Sequence, residues 1–101
     1  MTFKREIKDG CALLKIEGQM TVNDASALRD EMIECFNHCD GLILDLNDVS
    51  DCDTAGIQLL CSARLTAQGT GKRFEVTGAS MSSIDTLARA GFDPDAIFGP
   101  A

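Results

Sequence analysis

The chain has 101 residues, 45% of them apolar and 25% charged, with a formal net charge of −7 from 16 acids against 9 bases. That length suits one domain burying roughly 60–70% of its unfolded surface, and the apolar content excludes a disordered chain. The acidic balance, with no Trp or Tyr, speaks against nucleic acid and anionic lipid and suits a basic protein partner.

Met1 to Glu6 leads straight into polar alternation, unlike a signal peptide. No apolar run approaches the roughly 20 residues of a membrane span. The five cysteines, Cys11, Cys35, Cys39, Cys52 and Cys61, lie mostly within apolar runs. They read as core filling in a reduced, cytoplasmic protein.

Phe3, Arg5 and Ile7 alternate with Lys4, Glu6 and Lys8, the period of a half-buried strand. Asp9-Gly10 is a hairpin signal. Cys11 to Ile16 returns as a second strand, which Gly18 closes. The period then changes: Leu28, Met32, Phe36 and Cys39, with Cys35, form one stripe of an amphipathic helix. Thr21 or Asn23 can cap its start, and Asp24 favours its first turn.

Leu42 to Leu46 is a nearly continuous apolar strand, as expected at the centre of a sheet. A second helix is predicted from about Thr54 to about Gln68, with Ile57, Leu60, Cys61 and Leu65 on one face and Gly69-Thr70-Gly71 at its end. Phe74 to Thr77 gives a further strand. Ser80 or Ser82 caps a third helix with Ile84, Leu87 and Ala88 inward. Gly91 suits a left-handed C-terminal residue with Phe92 as its apolar contact. Asp93-Pro94 turns the chain, and Ile97 and Phe98 read as an edge strand or as core packing. The order is β-β-α-β-α-β-α. Helical crossovers imply parallel pairing beside the antiparallel hairpin.

Asp51-Cys52-Asp53-Thr54-Ala55-Gly56 sits where a strand gives way to a helix. Asp53 can cap that helix by accepting from the amides of Ala55 or Gly56. Thr54 then places a hydroxyl beside free amides at the positive helix end, and Gly56 lets another surface approach. A phosphate there would bring roughly −1.5 to −2 charges, welcomed by the helix end and opposed by Asp51 and Asp53. By spacing alone, the same residues read as an ordinary helix cap.

Cys35-x-x-His38-Cys39 offers three potential metal ligands but no fourth, and reads as packing plus a surface histidine. Asp45, Asp48, Asp51 and Asp53 lack the pattern of a calcium loop. Asp48 and Asp51 read as loop residues, and the four acids read as a negative, partner-facing rim. No nucleophile–base pair and no glycine-rich loop after a strand is present, so neither an enzyme nor a cofactor site is expected.

The run from Leu42 to Cys61 resembles the signature of the STAS domain, the sulfate-transporter and anti-sigma-factor-antagonist family. Gly18-Gln19-Met20-Thr21 is similar to the family's Gly-Glu-Leu segment. Gly71 to Val76 resembles its later Gly-Lys strand, and Leu87 to Phe92 its closing motif. The resemblance spans essentially the whole chain. It implies a single STAS-like α/β domain over residues 1–101, with a mixed four- to five-stranded sheet and three to four helices packed against it.

It further implies an anti-sigma factor antagonist, a non-enzymatic regulator whose phosphoacceptor is Thr54, a threonine where the best-known antagonists carry serine. The partner implied is an anti-sigma factor with serine/threonine kinase activity, with a cognate phosphatase to reset the switch. Asp53, Ala55 and Gly56 would form the cap and phosphate site. Thr21, Asn23, Asp24, Asp51 and Gln58 would face the partner. The motif also resembles STAS proteins that act as unphosphorylated docking subunits of lipid-transport ATPases or chemotaxis-type signalling arrays. No cofactor and no metal is implied.

Overall fold

Asp9 and Gly10 both adopt positive φ, 53° and 80°. A two-residue hairpin turn needs this to match the right-handed twist of its strands. The turn joins β1 (Thr2–Lys8) to β2 (Cys11–Met20), which pair antiparallel from Lys8↔Cys11 to Thr2↔Glu17. There follow α1 (Ala25–His38), β3 (Gly41–Cys52), α2 (Thr54–Thr70), β4 (Arg73–Ala79) and α3 (Met81–Arg89). The computed structural model describes residues 2–91. The expectations for Phe92, Asp93-Pro94, Ile97 and Phe98 lie outside them.

The sheet order is β1-β2-β3-β4, with β2, β3 and β4 parallel. Among the described residues the α/β domain thus has a mixed four-stranded sheet and three helices. Two successive right-handed crossovers in one direction place α1 and α2 on the same face, where they touch. Ala12, Leu14 and Ile16 of β2 bury themselves there with Leu42, Leu44 and Leu46 of β3 and Phe74 of β4. Leu28, Met32, Cys35 and Phe36 of α1 cover them. Each buried aliphatic side chain contributes about 1.5–3 kcal/mol by leaving water. All five cysteines are free thiols.

Several elements depart from the sequence expectation. Gly18 does not close β2. Its φ of 95° marks a register shift, after which β2 continues to Met20. β3 likewise runs on to Cys52, so Asp48 and Asp51 are strand residues rather than loop residues. What holds this polar second half is inward-facing Val49 and Cys52, and α3 packed along it: Ser82 Oγ donates to Val49 O (3.4 Å) and Thr86 Oγ1 to Cys52 O (2.8 Å).

Asp24 is itself the N-cap residue of α1, without a side-chain cap bond, in place of Thr21 or Asn23. In α2 the buried stripe is Gly56, Ile57, Leu60, Ala63 and Ala67; Leu65 falls off it and is 68% exposed. Small residues let this helix sit close to its neighbours, and a reading by side-chain bulk passes over them. The helix absorbs Gly69 and stops at Gly71, whose φ of 69° is the left-handed cap. In α3, Ser80 caps by accepting from Ser83 N, and Ser83 and Leu87 are the buried residues. Ile84 is half-buried, and Ala88 is exposed rather than inward. Gly91 is left-handed, with φ 87°, as expected.

Candidate functional site

Met20 and Cys52 end β2 and β3 and pair side by side. The loop leaving β2 and the start of α2 therefore emerge together, at the carboxyl edge of the parallel strands, where α/β folds place their sites. Asp53 fastens the two. Its Oδ1 accepts from Gly56 N (3.2 Å), capping α2, and its Oδ2 accepts from Val22 N (2.9 Å). Its own amide donates to Met20 O (3.3 Å). One carboxylate thus caps a helix and holds a loop distant in sequence.

Thr54 follows as the first residue of α2 and is exposed. Among the described residues its hydroxyl makes no hydrogen bond. The amides of Thr54 and Ala55 have no intrahelical acceptor, as at any helix start.

The Gly56 amide caps through Asp53, one of the two amides expected to do so, but the expected opening to another surface is absent, because the residue is buried. A Cβ there would stand 2.5 Å from Met20 O and 3.3 Å from Cys52 Sγ. The missing side chain therefore serves close approach within the domain and opens nothing to a partner.

The remaining predicted residues divide. Asp51 and Gln58 are exposed near Thr54, Gln58 one helical turn along. Asp51 also accepts from Cys52 N (2.9 Å). Asn23 is exposed and Asp24 half-buried. Thr21 presents no hydroxyl outward: its Oγ1 is enclosed and has no hydrogen-bond partner among the described residues. Sequence reasoning missed Val22, 66% exposed on the loop that Asp53 holds. Its only signal is an apolar residue amid a polar loop.

Also missed is the hollow beside Thr54, about 280 Å³, lined by Cys52, Asp53, Thr54, Thr86, Arg89 and Ala90. It arises because α3 returns across the end of β3. Burial first, then Asp53 and Asp51, pushes the Cys52 thiol up from the ordinary 9.0 to about 11. It is therefore protonated and unreactive at neutral pH.

The four acids do not form one rim. Asp45 Oδ1 accepts from Asn47 N (3.0 Å), and Asp48 pairs with Lys15 (3.0 Å). Only Asp51 and Asp53 adjoin Thr54. His38 meets Glu34 (3.0 Å) one turn back on α1. Among the described residues no cluster of three or more His, Cys, Asp or Glu could hold a metal ion, and no helix is long and apolar enough to cross a membrane.

The family model described as "Mlab, STAS domain" matches residues 3–98. The chain belongs to the STAS domain family. Its fold is similar to that of an anti-sigma factor antagonist from Mycobacterium paratuberculosis, at 20% identity and a TM-score of 0.80, covering 97% of this chain and 82% of that one. It is also similar to the anti-sigma factor antagonist SpoIIAA, the Bacillus cell fate determinant. In the unphosphorylated form the identity is 14% and the TM-score 0.75, covering 92% and 84% of the two chains. A sulfate transporter family protein from Wolinella succinogenes is similar at 21% identity and a TM-score of 0.70, covering 91% and 75%. No curated protein matches the sequence significantly.

Proposed function

We propose that the protein is an anti-sigma factor antagonist, a non-enzymatic regulator controlled by phosphorylation of Thr54. The observation that carries this reading is the exposed, unengaged Thr54 hydroxyl on a helix start that Asp53 ties to the Val22 loop. Two structural neighbours of the same fold are anti-sigma factor antagonists, one of them known in both phosphorylated and unphosphorylated forms.

In the unphosphorylated state the partner covers Val22, Asn23, Asp51, Thr54 and Gln58. Val22 supplies apolar contact, and the polar groups fix orientation. Phosphorylation adds roughly −1.5 to −2 charges at the centre of this surface. The partner must then desolvate a dianion that stands next to Asp53 and near Asp51, and it dissociates. The partner is an anti-sigma factor with serine/threonine kinase activity, and a phosphatase resets the site.

Incubation with the candidate kinase and ATP, followed by mapping of the phosphate, tests this reading. Phosphate on Thr54, with partner binding kept by Thr54→Ala and lost by Thr54→Glu, is expected. The sulfate transporter family neighbour favours a second reading, a constitutive docking module of a transporter. In that case Thr54 stays unmodified and Thr54→Glu binds as the parent does.

A further inference from the structure

The hollow at the start of α2 joins an exposed hydroxyl to a cation on a different helix. Thr54 forms one side of it, and Thr86, Arg89 and Ala90 of the α3 end form the other. The polar groups around it are unequal in what they can offer. Thr86 Oγ1 already donates to Cys52 O (2.8 Å). The Cys52 thiol points its weak donor at Asp53 O (3.6 Å). Asp53 carries negative charge and has both carboxylate oxygens engaged by amides. Arg89 alone among the lining residues brings positive charge and a fork of N–H donors. It is exposed, and no hydrogen bond or ion pair engages it among the described residues.

We propose that Arg89 is the intramolecular receptor for a phosphoryl group on Thr54, clamping it between α2 and α3. The inference rests on the reading of Thr54 as phosphoacceptor. Its chemistry is that of a guanidinium meeting a phosphate monoester dianion, a charge-assisted and often bidentate pair. The clamp answers an electrostatic difficulty of the site, since Asp51 and Asp53 oppose a dianion at this position. Arg89 supplies the counter-charge from across the hollow. It also gives the phosphorylated state a specific geometry: the group is drawn toward α3 and away from the Val22 loop. Phosphorylation then changes a defined patch that includes the end of α3, and a phosphatase has to displace Arg89 to reach the phosphorus.

The test does not need the kinase. Phosphothreonine is installed at position 54 of the full chain by genetic code expansion, and its second ionisation is followed by phosphorus NMR. This is done in the otherwise unchanged protein and with Arg89→Gln and Arg89→Lys. Arg89 is exposed at a helix end, so both variants fold, and amide spectra of the unphosphorylated forms verify it. A nearby guanidinium favours the dianion. The expected result is an ionisation at least about half a pH unit lower with Arg89 than with Arg89→Gln, and lower than with Arg89→Lys, the difference shrinking in high salt. Identical titrations with Arg89 and Arg89→Gln overturn the proposal. Kinase incubation of the unmodified protein separately decides whether Thr54 accepts phosphate at all.

Discussion

Replacing Gly56 by alanine should destabilise the domain although Gly56 lies inside a helix. Alanine at a helical position ordinarily gains about 0.5–1 kcal/mol over glycine. Here the added Cβ would stand 2.5 Å from Met20 O, 3.1 Å from Met20 Cγ and 3.3 Å from Cys52 Sγ. The first of these is backbone, and the same oxygen accepts from Asp53 N, so it cannot retreat without loosening the Asp53 clamp. Overpacking of this kind costs about 1–3 kcal/mol or somewhat more.

The net expectation is a loss of about 1–2 kcal/mol, which lowers the melting temperature by roughly 5–15 °C in a domain of this size. Gly69 is the internal control. It lies in the same helix and a Cβ there meets nothing within 4 Å, so Gly69→Ala should stabilise by about 0.5–1 kcal/mol. Urea unfolding followed by circular dichroism reads both, with unchanged slopes showing that midpoints report stability. If Gly56→Ala proves as stable as Gly69→Ala, the close approach of α2 to β2 is refuted.

Asp53→Ala removes a helix cap and the Val22 tether together, an expected loss of about 1–2 kcal/mol, and Asp53→Asn loses less; hydrogen exchange at Val22 and Gly56 should quicken in step. Leu60→Ala should cost about 2–5 kcal/mol while Leu65→Gln stays within about 0.5 kcal/mol of the parent, as measured by denaturation. The Cys52 thiol is protonated longer in the folded state than in the unfolded one, with its value raised from 9.0 to about 11. Its contribution is therefore whole below the unfolded value and lost as pH rises through the folded one. The stability margin of the parent over Cys52→Ala should shrink between about pH 9 and about pH 11 in paired urea titrations.

The hairpin, the order of elements and the left-handed Gly91 were legible because each rests on local chemistry: a turn dipeptide, a change of period, a glycine past a helix end. The Asp53 cap was legible for the same reason. Its second bond, to Val22, was not, because it spans two segments that meet only once β2 and β3 pair in parallel. The polar half of β3 was hidden for a similar cause, since Asn47, Asp48 and Asp51 show no apolar alternation, and the strand is carried on by β2, paired with Asp48 and Asp51, and by α3, bonded to Val49 and Cys52. Gly56 was misread as an opening for a partner, because a sequence shows the absence of a side chain but not what fills the space. Arg89, the proposed phosphate receptor, gave no signal at all: as the last residue of an amphipathic helix it lines the hollow only through the return of α3 across the end of β3.

In the proposed switch one hydroxyl, at Thr54, decides whether the partner is held. The affinity of the anti-sigma partner is to be measured for the unmodified protein and for the protein carrying phosphothreonine at position 54, at one salt concentration. Phosphorylation should weaken binding at least about tenfold, equivalent to about 1.4 kcal/mol. Equal affinities for the two forms would rule the switch out.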